Sequence, residues 1–103
     1  MVPESTLDAG KKAHDDGQTL FVDIRTPGHF EAAHVPGAQH LSDSNIAEFV
    51  AETPKESAIV VYCYHGNSSR GATAYLLEQG FQNVVSLQGG FEGWRSRQFP
   101  TTA

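Results

Sequence analysis

Ala58-Ile59-Val60-Val61-Tyr62-Cys63-Tyr64-His65-Gly66-Asn67-Ser68-Ser69-Arg70 is the stretch from which the rest of the chain can be read. Every residue from Ala58 to Tyr62 is apolar or aromatic, as a strand covered on both faces requires. A polar loop containing one glycine follows, Cys63 to Ser68. The pattern then predicts a helix from Ser69 to Gln79, with Gly80 as its stop. Ala72, Tyr75, Leu76 and Gln79 fall on one stripe of that helix. Strand, short loop and helix in this order form the repeating unit of a parallel sheet.

The alternation extends in both directions. Ser5-Thr6 can cap a helix reaching about Asp16, and Gly17 ends it. Thr19 to Val22 reads as a buried strand. Pro27 opens a short helix through Ala33. Pro36-Gly37 makes a turn before a short strand at Ala38 to Leu41. Ser42-Asp43-Ser44 offers N-caps for a helix through Ile46, Phe49 and Val50, closed by Pro54. Val84 to Leu87 is the next strand, and Gly89-Gly90 leads into a last helix carrying Phe91 and Trp94. The expected fold is α/β: one domain over 1–103, with a mostly parallel central sheet and helices on both faces. The order of the strands does not follow from this pattern. Such sheets bind ligands beyond the carboxyl ends of their strands, which is where Asp23, Arg25 and Cys63 fall.

Size and charge narrow the functions. The chain has 103 residues, too few for a nucleotide-binding domain plus a substrate domain. Lys and Arg number 7 against 12 Asp and Glu, and a net charge of −5 argues against nucleic acid and anionic membranes as partners. No run approaches the ~20 apolar residues of a membrane span, and the first ten residues lack the pattern of a signal peptide. The single cysteine excludes an internal disulfide and a cysteine-rich metal site, and fits a reducing, cytoplasmic setting.

A free cysteine usually behaves as a small buried hydrophobe. The polar residues after Cys63 point the other way. A loop between strand and helix can turn successive backbone N–H groups toward one point, and the helix start adds unpaired N–H groups and the positive end of its dipole. Both favour a thiolate, the nucleophilic form of cysteine. The expected cradle is the backbone of Tyr64, His65, Gly66, Asn67 and Ser68, with Arg70 as supporting charge.

Other candidates read as structural. Asp23 and Arg25 are expected to form a buried pair that orders the loops at the sheet end. His34, before Val35-Pro36-Gly37, is expected to bond backbone in a turn. The histidines show no metal-ligand spacing, and no phosphate-loop pattern or Gly-x-Ser-x-Gly elbow occurs. No metal and no cofactor are expected. Gly89-Gly90 reads as a tight turn that lets the Phe91–Trp94 helix pack.

The chain resembles the single-domain rhodaneses, the short thiosulfate sulfurtransferases of the GlpE class, over about residues 4 to 99. The resemblance rests on four segments: Val22-Asp23-Ile24-Arg25, Phe30 to Ala38, the Cys63 loop, and Gly89-Gly90-Phe91-Glu92-Gly93-Trp94. Cys-Tyr-His-Gly-Asn-Ser-Ser is the most specific of them. Two positions depart from the family pattern. Ala33 precedes His34 where many rhodaneses have glycine, and His29 stands where glutamate is frequent. Neither touches the Cys63 loop. The resemblance implies transfer of sulfane sulfur from thiosulfate to cyanide or to a thiol, such as that of a thioredoxin-like protein, through a Cys63 persulfide. Two other readings stay open. A phosphatase or arsenate reductase could use the same scaffold, although the related phosphatases have a longer Cys-x5-Arg loop; here Ser69 is six residues after Cys63 and Arg70 one further. A non-catalytic persulfide carrier or regulatory module is the other.

Overall fold

The computed structural model describes residues 2–103. Ten elements run in the order β1 (Glu4–Ser5), α1 (Leu7–Asp16), β2 (Leu20–Asp23), α2 (Pro27–Ala32), β3 (Gln39–His40), α3 (Ile46–Glu52), β4 (Ala58–Tyr62), α4 (Ser68–Glu78), β5 (Asn83–Leu87) and α5 (Gly90–Ser96). The strands form one parallel sheet in the order β1-β5-β4-β2-β3, with β4 at its centre. A central strand must be apolar on both faces, and Ile59 to Tyr62 are all buried.

The two faces bury separate clusters. On one, Val22, Ile59, Val61 and Val84 pack with Phe49 of α3 and Leu76 of α4. On the other, Phe21, Val60, Tyr62 and Leu87 pack with Phe91 and Trp94 of α5, and Leu7 of α1 closes the edge. Helices therefore cover both faces, as expected. Removing each of these large side chains from water is worth about 1.5–3 kcal/mol. Trp94 is fully buried, and its indole N–H donates to the Pro100 carbonyl at 2.7 Å.

Local chemistry sets most boundaries. Thr6 caps α1 by accepting the Ala9 amide, and Gly17 ends it at φ 73°. Thr26 caps α2, with Pro27 in its first turn. One strand was not expected, and two expectations are corrected. Two-residue β1 has too few positions to show a period; it forms because β5 offers an open edge, where Ser86 donates to the Pro3 carbonyl and Gln88 to that of Ser5. Ser42-Asp43-Ser44 makes a turn instead of a cap, because Asn45 accepts the Ser42 amide through its side chain and the Ser42 carbonyl takes the Asn45 and Ile46 amides. The inner face of α4 is Ser69, Thr73 and Leu76, while Tyr75 is 40% exposed and Gln79 lies on the surface. Apolarity misassigned that stripe because α4 meets a polar spot on the sheet, Ser86 of β5.

Asp23 and Arg25 form the buried pair read from the sequence. The guanidinium donates to both carboxylate oxygens at 2.7–3.1 Å and to the Ala33 carbonyl, and it lies 4.0 Å from the Phe91 ring centroid. Tyr62 accepts the Val35 amide on its hydroxyl at 3.2 Å; burial first, then the neighbouring Asp23 carboxylate, holds its phenol well above the ordinary value. This knot fixes the β2 end against the β4 end. Asp23→Ala strands a buried cation and is expected to cost about 3–5 kcal/mol in urea unfolding, with the denaturant slope unchanged.

Candidate active site

Cys63 is the first residue beyond β4, and α4 begins five residues later. The residue is only 6% exposed, and it lines a cleft of about 240 Å³ together with Ile24, Arg25, Thr26, His29, Tyr64 and Ser68. A larger cavity of about 510 Å³ lies among Ala9, Ala13, Ala58 and Val85, near the amino ends of the strands, and its lining carries neither thiol nor imidazole. The thiol lines the smaller one.

The loop closes on the sulfur from within the backbone. The Gly66 amide donates to Sγ at 3.1 Å and the Ser69 amide at 3.3 Å. Ser69 is the second residue of α4, and Asn67 at the cap position makes no side-chain cap bond. Sulfur takes the capping place and meets the positive end of the helix. Asn67 and Ser68 amides have no backbone acceptor among the described residues. Ser69 Oγ is 3.4 Å from Sγ, on the side away from solvent. Burial raises the thiol pKa, but the bonds from the Ser69 side chain and from the Ser69, Gly66 and His65 amides outweigh it, and the net value is lowered.

The loop holds this shape because its carbonyls are pulled the opposite way. The Phe91 amide donates to the Cys63 carbonyl at 2.8 Å and the Glu92 amide to the Tyr64 carbonyl at 2.9 Å. In a trans peptide C=O and N–H point in opposite directions. Fixing the Tyr64 carbonyl on Glu92 therefore aims the His65 amide back toward the sulfur. Gly90 makes this approach feasible: a Cβ there would meet the Cys63 and Tyr64 carbonyls at 2.6 and 2.7 Å. Gly66, at φ 97°, passes 3.0 Å from the Gly89 amide by the same measure. The Gly89-Gly90 turn is thus also the outer brace of the Cys63 loop, a role that sequence reading missed.

The remaining expected site residues separate by position. Tyr64 is half-buried at the rim, its ring 5.5 Å from that of His29 and its hydroxyl accepting from Arg95. His65 is exposed beside Tyr64. Arg70 is 53% exposed and faces Glu4 at 3.8 Å, outside the cleft lining. His29 bonds Thr26. His34 bonds the Phe30 carbonyl, as expected of a turn histidine. Ser69 and Ser86 were overlooked as site residues. Their only sequence signal is a serine inside an otherwise apolar strand, Val84 to Leu87.

Two tests follow from this geometry. Gly90→Ala forces a side chain at φ 58° into the Cys63 carbonyl and is expected to cost about 2–3 kcal/mol. Gly71→Ala, in open space on α4, is expected to gain about 0.5–1 kcal/mol in the same thermal or urea melts. The lowered Cys63 pKa also links stability to pH. Between the folded midpoint and the ordinary value of 9.0 the unfolded chain binds more protons, so stability rises with pH across that window and is lost as pH falls through the folded midpoint. Urea unfolding at several pH values is expected to show this slope in the parent and not in Cys63→Ser.

Comparison with known proteins agrees with the geometry. The rhodanese-like domain family matches residues 6–97. The thiosulfate sulfurtransferase GlpE of Pseudoalteromonas translucida is 45% identical over 82 residues, spanning 80% of this chain and 78% of that one. Among solved structures, the rhodanese-like domain of an Anabaena protein superposes with a TM-score of 0.88 at 24% identity, covering 100% of this chain and 80% of that one. A rhodanese-related protein from Thermoplasma volcanium gives 0.83 at 20% identity, covering 97% of each. No helix among the described residues is long and apolar enough to cross a membrane. By the extent of the profile match and by the relative's identity, the chain belongs to the rhodanese-like domain family.

Proposed function

We propose that the protein is a thiosulfate sulfurtransferase whose nucleophile is Cys63. One observation carries this reading: the only thiol of the chain sits where the Gly66 and Ser69 amides converge, with a small cleft above it. The name of the 45% identical relative supports it.

Thiolate Sγ attacks the outer sulfur of thiosulfate, a new S–S bond forms, and the bond to the sulfonyl sulfur breaks. Sulfite leaves with the electron pair, and Cys63 carries a persulfide. The carbon of cyanide then attacks the terminal sulfur, thiocyanate departs and the thiolate returns. Both half-reactions move negative charge between Sγ and the atom beyond it. The Gly66 and Ser69 amides hold the first position, and the Asn67 and Ser68 amides are free for the second. Tyr64 and His65 contribute backbone and rim. Arg70, tied to Glu4 at the surface, supplies only a screened field against the acidic balance of the chain. Asp23 and Arg25 hold the strand ends in place.

In a cell the acceptor is proposed to be a thiol on a slender projection, such as that of a thioredoxin-like protein, because the sulfur lies below the Tyr64 rim. A reducing, cytoplasmic setting suits a lone thiol that must stay free. The phosphatase alternative is disfavoured by the loop spacing, since the position six after Cys63 is Ser69 where the related phosphatases have arginine.

Purified protein is expected to turn over thiosulfate and cyanide by ping-pong kinetics and to ignore p-nitrophenyl phosphate. Cys63→Ser is expected to abolish turnover while keeping its circular dichroism and melting transition. Substantial sulfur transfer by a folded Cys63→Ser protein, or aryl phosphate hydrolysis without thiosulfate turnover in the parent, would overturn the reading.

A further inference from the structure

Behind Cys63, on the side away from the cleft, two hydroxyls stand in line. Ser69 Oγ lies 3.4 Å from Sγ, and Ser86 Oγ lies 2.7 Å from Ser69 Oγ. Both serines are fully buried, one on α4 and one on β5. Ser86 Oγ makes no other hydrogen bond among the described residues. A serine inside a buried apolar strand is costly unless it has a partner, and here that partner is the residue touching sulfur.

We infer that Ser86 is a positioning residue for the nucleophile, acting through Ser69 to favour the thiolate form of Cys63. The argument is a count of protons against contacts. The Sγ–Ser69–Ser86 line contains two contacts. With Cys63 protonated it holds three protons, one on sulfur and one on each hydroxyl, so one of the three donors has no acceptor within the line and the thiol proton, a weak donor, must turn out toward the cleft or displace a hydroxyl bond. With Cys63 ionised it holds two. Ser86 then donates to Ser69, Ser69 donates to sulfur, and every proton is used. An unsatisfied buried donor is unfavourable, and a donor that itself accepts a bond is strengthened. The line therefore favours proton loss from sulfur, in addition to the two amides that approach it directly.

Among the described residues no other ionisable group is bonded to the sulfur. Arg25 is paired with Asp23 at the β2 end, and His29 is bonded to Thr26 on α2. Tyr64 meets Arg95, and Arg95 meets Glu92, at α5. His65 is exposed on the loop, and Arg70 on α4 faces Glu4. Ser86 is thus separable from the charges around the cleft.

The inference rests on Cys63 being the nucleophile, but its test needs no thiosulfate. The rate of alkylation by iodoacetamide, followed against pH, reads the thiolate midpoint. In Ser86→Ala that midpoint is expected to rise by about half a pH unit, a threefold loss of thiolate well below it. Ser86→Thr, which restores a hydroxyl, is expected to return the midpoint toward the parent value. The high-pH plateau is expected to be equal or slightly higher, since a more basic thiolate is the better nucleophile. A folded Ser86→Ala protein with an unchanged midpoint overturns the inference, as does a shift that Ser86→Thr shares in full. The parent protein gives an independent reading: in carbon NMR the Ser86 Cβ resonance is expected to titrate with the Cys63 midpoint, and a flat response overturns the relay even if the variants do not fold. A shifted midpoint in a protein that ignores thiosulfate supports the relay and counts against the sulfurtransferase reading alone.

Discussion

The site depends on two backbone hydrogen bonds made far from the sulfur, from the Phe91 and Glu92 amides to the Cys63 and Tyr64 carbonyls. They fix the first two peptide planes of the loop, those that carry the Tyr64 and His65 N–H groups. Carbonyls directed at α5 leave those two N–H groups directed the other way, because a planar trans peptide cannot aim both the same way, and from that start the loop turns the Gly66 and Ser69 amides onto the sulfur. No side chain of the loop has to supply the positive potential. That explains how a chain with a net charge of −5 can hold a thiolate and offer amides to a dianion. The field is local, built from oriented dipoles, and the wider acidic surface is screened over about 8–10 Å of solvent.

The clasp in turn relies on the knot beneath it. Arg25 lies on the face of Phe91 while bound to Asp23, and beside that pair the Tyr62 hydroxyl holds the Val35 amide. One buried ion pair thus links the ends of β2 and β4 to the first turn of α5. Its value is less in net energy, since burying two charges costs nearly what their attraction returns, than in allowing one arrangement of three segments.

Much of this was legible before the coordinates. The run Ala58 to Tyr62 announced a central strand, and the cap at Thr6, Pro27 in a first turn and the stop at Gly17 marked helix ends, because these signals act over a few neighbouring residues. Cys63 and its loop stood out by the same local logic. What stayed hidden depends on residues distant in the chain. β1 exists because Pro3 and Ser5 find the edge of β5, more than eighty residues on. Gly90 looked like a turn glycine, and only its closeness to the Cys63 carbonyl shows what it accommodates. The exposed Tyr75 and the buried Ser69 and Thr73 inverted the expected polarity of α4, because a hydroxyl on β5 makes that spot on the sheet favourable for another hydroxyl.

The recessed position of Cys63 has a consequence for oxidative damage. Two cysteines can be joined only when their Cα atoms come within about 4.4–6.8 Å. Cys63 is 6% exposed, and bringing its Cα that close to the matching Cα of a second copy, recessed to the same degree, requires the rims of both clefts to give way. Shape therefore opposes covalent dimers through Cys63, without any need for repulsion between the copies. Small oxidants still reach the sulfur, so its route to inactivation runs through the sulfenic and sulfinic acids.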